Sequence, residues 1–460
     1  MKWYAQIEYL GELDWMRFAL YSRRVKSFYF GLDNFDDAKT AVEAKHLARL
    51  VRLCPMARIF PRLEVLDMVV LPDASGSIAY VAKFFAETTR SCAFVLNISP
   101  EEIQSARPLH VHNLVQGILL NSPYITSFGF YSYHRIQGLY VEECFVRLLA
   151  GLRRMTKAMF DSDSFSAAFL EVLARLPQLE GITIDGETEE PTAFDSATMA
   201  AFVGMPDVFG TLTTLWLKSQ PLRFASLLVT HSCFQQLNDL TLTIKDEHEI
   251  QQLHEMFATI ARVCKGMKVL RVSQGLSDPD HPLRHVSKEF TRDTIKPLRT
   301  LKHLKSFSFN HVITSALTDA DVLQLVKDCP ALEEIRLNAR TSVLPLTNLT
   351  PALISSLSRQ DNRLRSLQLC IHFKASDISK LLEYDVGDRL RGLYRLGFGH
   401  SIIDVEEEDE AGLKQISMFI EKCVSDGCRC GERPHECNSD ELELDINQMK
   451  WDCVWEMCGR

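Results

Sequence analysis

One short apolar pattern returns along the whole chain and narrows its possible folds more than any other feature. "RVKSFYF" sets Val25, Phe28 and Phe30 in the frame L-x-x-L-x-L. "RLEVLDM", "YITSFGF", "QLEGITI", "TLTTLWL" and "QLNDLTL" repeat it from Leu63, Ile125, Leu179, Leu212 and Leu237. "GMKVLRV", "HLKSFSF", "ALEEIRL", "RLRSLQL" and "GLYRLGF" continue it from Met267, Leu304, Leu332, Leu364 and Leu393. Two weaker stretches fill the long gaps, "SCAFVLNIS" near Phe94 and "GLRRMTKAM" at Leu152. Successive first positions then lie about 25 to 38 residues apart. One such frame is weak evidence, because short apolar alternation occurs in any strand. Eleven at a quasi-regular period read as a structural repeat.

The segments between the frames carry helical spacing. "KTAVEAKHLARLVRLCP" has Val42, Leu47, Leu50, Val51 and Leu53 on one face and stops at Pro55. "TDADVLQLVKDCP" offers Thr318 as an N-cap, with Asp321 three residues on as an approximate capping box. "EIQQLHEMFATIARVCKGM" and "SDISKLLEYDVGDRLRGL" behave alike. Each unit therefore reads as one inner strand, a corner often marked by Cys-Pro, and one outer helix. No unit can hide its apolar face alone, so units must stack. The expected fold class is α/β, a leucine-rich-repeat solenoid: a curved horseshoe of parallel inner strands and outer helices. Thirteen strands at about 4.8 Å give an inner face roughly 60 Å long before curvature. Residues 1–22 are expected to cap or link, 23–425 to form about 12–13 repeats, and 426–460 to form a Cys-rich cap or tail.

Bulk chemistry limits the partners. The 460 residues carry a net charge of -9, which disfavours nucleic acid and acidic membranes as ligands. No apolar run approaches a membrane span, and "MKWYAQIEYLGELDW" lacks the apolar core of a secretory signal. Thirteen scattered cysteines point to free thiols in a reducing compartment, cytoplasmic and/or nuclear. The sequons at Asn97 and Asn348 then carry no sugar. A monomer is expected.

"LVKDCPALEEIRL", "LVRLCPMARIFPRLEVLDM" and "ARLPQLEGITI" resemble the cysteine-containing leucine-rich repeats typical of F-box substrate receptors. "LDWMRFALYSRRVKSFYF" is similar to the segment after the F-box in fungal F-box/leucine-rich-repeat proteins, through Trp15, Phe18, Tyr21, Ser22, Arg24 and Val25. The resemblance implies a substrate receptor of an SCF-type ubiquitin ligase that docks a Skp1-type adaptor through its F-box. Only a dozen or so residues precede Trp15, and they show no Leu-Pro-x-Glu opening. The expectation is therefore a receptor whose F-box was lost or lies upstream of Met1. The alternative is an interaction scaffold unrelated to ubiquitination.

No phosphate loop, dinucleotide fingerprint or nucleophile elbow is present, so no enzyme and no cofactor are expected. In "HEIQQLHE", His248 and His254 stand six apart, about 240° out of phase on a helix, and cannot share a metal from one face. "PLHVHNL" would align His110 and His112 if it were a strand, but no third ligand is near. "CVSDGCRCGERPHEC" gathers Cys423, Cys428, Cys430, His435 and Cys437 without paired C-x2-C knuckles. Cys428, Cys430, His435 and Cys437 are weak metal candidates; a flexible loop is the expectation. "DVEEEDEAG", from Asp404, reads as a solvated loop ahead of a helix near Leu413.

If frame residues point into the core, the residues between them face a partner on the concave side. Those are Tyr29, Asp67, Tyr131, Asp185, Trp216, Lys218, Thr241, Arg271, Asn310, Glu334, Arg336 and Gln368. Trp and Arg dominate interface hot spots, which singles out Trp216 and Arg271.

Overall fold

The computed structural model describes residues 12–30, 51–70, 82–96, 108–132, 139–161, 166–186, 208–220, 222, 226, 234–244, 250–274, 290–310, 315–337, 347–360, 363–383, 393–398, 401–405, 409–423, 429–430 and 442–458. The chain divides into two compact units, Met1–Lys218 and Ser219–Arg460. In the first, β1 (Ser27–Phe30), β2 (Val65–Val70), β3 (Ser91–Leu96), β4 (Ser127–Ser132), β5 (Lys157–Asp161), β6 (Gly181–Asp185) and β7 (Thr214–Gln220) lie side by side in chain order. Every pairing described between them is parallel. Helices α1 (Glu12–Ser22), α2 (Pro108–Asn121), α3 (Tyr140–Gly151) and α4 (Ala167–Ala174) belong to this unit.

The second unit repeats the plan with β8 (Asp239–Ile244), β9 (Val269–Gln274) and β10 (Ser306–Asn310), then β12 (Glu334–Leu337), β14 (Ser366–Leu369), β16 (Arg395–Gly397) and β18 (Arg429–Cys430). Two minor parallel ladders accompany it: β11 (Ser315–Thr318) with β13 (Thr347–Asn348), and β15 (His372–Lys374) with β17 (Ile402–Asp404). Its helices are α5 (Ile250–Val263), α6 (Arg292–Ile295), α7 (Asp319–Asp328), α8 (Pro351–Ser358), α9 (Ala375–Glu383), α10 (Glu410–Cys423) and α11 (Leu442–Met457). Parallel strands in chain order, joined by helical crossovers at the repeat period, make this an α/β leucine-rich-repeat solenoid.

The frame residues form the core. Leu215 and Leu217 on β7, Leu240 and Leu242 on β8, and Phe307 and Phe309 on β10 are buried. Helices close over them: Phe145 of α3 meets Phe130 of β4 at 4.1 Å between ring centroids, and Phe257 of α5 meets Phe307 at 6.4 Å. Each such burial stabilises by roughly 1.5–3 kcal/mol. The corner cysteines have a definite task. Cys264 Sγ donates to the Phe234 carbonyl at 3.4 Å, and Cys329 Sγ to that of Leu298 at 3.5 Å, each reaching the preceding repeat. In unit 1, Ser122 Oγ makes the equivalent bond to the Ala86 carbonyl at 2.6 Å.

Several expectations are corrected. The frame near Phe94 starts earlier, at Thr89, with Cys92 and Phe94 pointing into the core; the frame assigned to Leu152 starts at Met155, with Ala158 and Phe160. "PLHVHNL" is the start of α2 rather than a strand, so His110 and His112 are about 200° apart around the axis. Asp404 ends β17 instead of standing in a loop, and Asp409 Oδ1 accepts the Gly412 N–H at 2.9 Å where α10 begins. Cys430 is a sheet residue, opposite Leu396 in the β16–β18 pairing. Cys428, His435 and Cys437 lie outside the described residues, as do His248 and the segment 31–50 that carries most of the helix read before Pro55. The Thr318 cap is present: Asp321 Oδ2 accepts from the Thr318 N–H at 3.0 Å and from its hydroxyl at 2.7 Å.

Each unit carries a cluster of aromatic rings beside one of its terminal helices. In unit 1, Phe18 of α1 sits 6.4 Å from Phe60, which meets Phe28 at 5.1 Å. In unit 2, α11 lays Trp451 against Phe398 at 5.3 Å and Phe373 at 5.3 Å, and Trp451 Nε1 donates to the Ser401 carbonyl at 2.8 Å. Trp451 is 2% exposed. Replacing it with Ala removes the stack and this hydrogen bond; a loss of about 3–5 kcal/mol in urea-denaturation stability is expected.

Candidate binding faces of the strand walls

Each unit presents the sheet face turned away from its helices, and the parallel register arranges its side chains in rows. In unit 1 one row runs Tyr29, Asp67, Ala93, Gly129, Met159, Thr183, Trp216. A second holds Val95, Tyr131 and, two strands on, Asp185 beside Asp161. Tyr29 is 59% exposed and Trp216 39% exposed, so neither ring is covered. Small residues occupy the middle of the first row for a steric reason. A Cβ on Gly129 would lie 3.0 Å from the Ala93 Cβ and 3.2 Å from the Tyr131 ring, which leans back over the glycine.

Acidic groups surround that ring. Burial, and then the charges of Asp185, Asp161 and Asp67, push the Tyr131 phenol up to about 12. Burial also raises the Asp67 carboxyl, against a hydrogen bond from the Ala93 backbone. Asp161 accepts the Ser132 N–H, and Asp185 Oδ2 holds Lys218 Nζ at 2.5 Å. Asp161 was not among the residues read from sequence. The frame starting at Met155 would have revealed it, one place beyond Phe160.

The wall of unit 2 carries more basic groups. Its central row runs Thr241, Arg271, Ser308, Arg336, Gln368, Gly397. Arg271 lies 3.7 Å from Asp239. Glu334 Oε2 accepts from Ser306 Oγ at 2.6 Å, and its Oε1 accepts both Arg336 Nε at 2.8 Å and the terminal nitrogen at 2.6 Å. Burial works to raise the Glu334 carboxyl, but Ser306, Arg336 and Arg271 outweigh it and hold it below the ordinary range. Its stabilising contribution is therefore present above the unfolded pKa and is lost as pH falls through the lower folded value. Asn310 approaches Ser308 Oγ at 3.5 Å. Gln368, expected to be exposed, is 2% exposed: its side chain lies across Gly397, where a Cβ would meet Gln368 Cγ at 3.2 Å.

The rows thus bring Tyr29 beside Asp67, gather Tyr131 with Asp185, pair Asp185 with Lys218, and join Glu334 to Arg336. Trp216 and Arg271 belong to different units. Among the described residues no cluster of three or more His, Cys, Asp or Glu is placed to hold a metal, and no helix is long and apolar enough to cross a membrane.

No protein-family model matches the chain, and no curated protein matches it. Three solved structures show partial likeness. A Bacteroides fragilis protein shares 13% identity over 67% of this chain and 76% of its own, with a TM-score of 0.35. The yeast Rad7–Elc1 complex contributes a chain 14% identical, covering 71% of this chain and 73% of its own, at 0.40. The TLR13–ssRNA13 complex contributes one 14% identical, covering 74% and 44%, at 0.36. The fold assignment rests on strand order and repeat, independent of these.

Neutralising Asp185 removes one of the charges that oppose phenolate formation. In Asp185→Asn the Tyr131 phenol is expected to titrate at lower pH than in the wild type, followed by tyrosinate absorbance or by NMR of labelled tyrosine. An unchanged titration would mean that Asp185 does not act on Tyr131.

Proposed function

We propose that this chain is a non-enzymatic recognition scaffold that binds a protein partner on its strand walls. The observation that carries the reading is the exposure of two aromatic rings, Tyr29 at 59% and Trp216 at 39%, on a sheet face whose alternate residues are buried. A sheet needs no large aromatic there for its own stability, whereas Tyr and Trp supply contact area at little entropic cost. The polar groups around them are already held by ion pairs and hydrogen bonds, so a partner meets ordered side chains. The partner-facing set is Tyr29, Asp67, Tyr131, Asp185, Trp216 and Lys218 in unit 1, with Arg271, Asn310, Glu334 and Arg336 in unit 2.

The finer role is that of an SCF-type substrate receptor or an F-box-less derivative, supported by the likeness of the Trp15–Val25 segment and the Cys-Pro corners to the fungal F-box/leucine-rich-repeat proteins. The chain then supplies specificity, and the ubiquitin chemistry belongs to other subunits. A Skp1-type adaptor joins only where an F-box precedes this segment, in the cytoplasm or nucleus. Co-purification with the adaptor separates this role from a scaffold unrelated to ubiquitination.

Affinity capture with quantitative mass spectrometry tests the binding reading. Trp216→Ala and Arg271→Glu are each expected to weaken capture of the specific partner at least about tenfold, a loss near 1.4 kcal/mol. Retention of every partner by both variants would remove the strand walls as the binding surface.

A further inference from the structure

The strands of unit 1 enter their sheet along a hydrogen-bonded rail. The Lys26 carbonyl accepts the N–H groups of Glu64 and Val65 at 2.7 and 3.0 Å, and that of Glu64 accepts those of Arg90 and Ser91 at 2.9 and 3.1 Å. Arg90 in turn accepts from Thr126 and Ser127 at 2.8 and 3.0 Å, and Thr126 from Thr156 and Lys157 at 2.7 and 3.0 Å. Side chains at this rim are therefore spaced by the strand separation, about 4.8 Å. Arg24, Lys26, Arg62, Arg90, Arg154 and Lys157 are all exposed along it. Two carboxylates share the rail, Glu64, bridged to Lys26 at 2.8 Å, and Glu180, whose carbonyl accepts from Thr213 and Thr214 beyond Thr156; Glu87 is exposed beside Arg90. A chain of net charge -9 thus carries a concentrated positive strip.

At its centre stands Tyr124, with the guanidinium carbons of Arg90 and Arg154 at 5.3 and 4.5 Å from the ring centroid. Both distances fall within cation–π range. The Arg90 guanidinium also donates to the carbonyls of Glu87 and Thr89 at 2.7 and 3.3 Å, which pins it further. A guanidinium has five N–H donors, so donors remain for a ligand after these contacts. Guanidiniums held in place in this way match the geometry of a carboxylate fork.

The charge selects an anion, and two features select its kind. Binding single-stranded nucleic acid relies on aromatic faces open to bases, but the Tyr124 ring is already engaged by two guanidiniums. A long polyanion would also meet the chain's overall negative charge, whereas a short anion meets mainly the strip. From β1 to β5 the strip covers four strand spacings, roughly 19 Å, the length of about six extended residues. We propose that the strand-entry rim of unit 1 docks a short acidic protein segment, with Asp or Glu carboxylates paired to Arg90 and Arg154. This surface is the row of strand starts rather than the sheet face, so the proposal stands or falls apart from the strand-wall reading.

The test uses the full chain, with fluorescein-labelled hexaglutamate and a labelled oligothymidylate of about 20 nucleotides as probes in fluorescence anisotropy. Hexaglutamate is expected to bind at low salt and to weaken at least tenfold in R90E/R154E, while the charge-matched control R147E/R175E on the outer helices leaves it unchanged. R90K/R154K keeps the charge but loses the planar fork, and an intermediate loss is expected. Thermal melts by circular dichroism confirm folding, and R90Q/R154Q replaces the charge reversal if that variant unfolds. The proposal is overturned if hexaglutamate shows no saturable binding, if the rim variants bind it like the wild type, or if oligothymidylate binds more tightly than the peptide.

Discussion

A single repeat of this chain cannot bury its own apolar frame; only the repeats beside it can. Leu240 and Leu242 of β8 lie opposite Leu270 and Val272 of β9, and those opposite Phe307 and Phe309 of β10. A terminal repeat of such a stack has a neighbour on one side only, so its frame needs another cover. Large flat rings supply one in both units. In unit 1 Phe60 lies against Phe28 and Phe18 of α1 against Phe60, and in unit 2 Trp451 and Trp455 of α11 stack on Phe398, just after β16. A broad ring covers an exposed strand edge with few rotatable bonds, so it costs little side-chain entropy for the area it hides.

The same stacking requirement explains the corner chemistry. After each outer helix the chain turns inward close to the previous repeat, where a carbonyl that already accepts one backbone N–H has a lone pair left for a second donor. The thiols of Cys264 and Cys329 and the hydroxyl of Ser122 supply one while occupying little more than an alanine. A Leu at these places would lose this side-chain bond, while each carbonyl kept the backbone N–H that it also accepts, from Leu237, Leu301 and Thr89. The corner cysteines are thus structural couplings between neighbouring repeats, which accounts for the buried free thiols at Cys264 and Cys329.

These physical demands decide what could be read in advance. Frames built from Leu, Ile and Phe stood out because three large apolar residues in fixed spacing have few other uses. Two frames were misplaced because one member is atypical. Thr89 is fully buried, and its hydroxyl satisfies itself by accepting the Ala86 N–H and donating to the Leu63 carbonyl, each at 3.1 Å. Ala158 is too small to mark its frame, and Leu152 just before it drew the reading three residues early. The ladders β11–β13 and β15–β17 span two to four residues per strand, too short for a period to register. The burial of Gln368 depends on a glycine on the next strand, Gly397, a non-local fact that no window around Gln368 contains.

The walls left by this construction differ in character, and the difference has a physical consequence for recognition. In unit 1, carboxylates converge around a buried-edge phenol, and burial opposes their charge: the Asp67 carboxyl is raised and the Tyr131 phenol is held neutral well past physiological pH. Such a ring stays a hydrogen-bond donor in an acidic setting. In unit 2, Glu334 is consumed by Ser306 and Arg336, so its charge is spent inside the wall and the Arg336 fork is turned toward its own strand neighbour. Breaking that fork to bind a partner would strand a half-buried carboxylate, a cost of the order of 1–3 kcal/mol. A ligand on this wall thus gains more by accepting from Arg271 than by competing for Arg336. Specificity on such a surface comes from which charges the scaffold leaves available after satisfying itself.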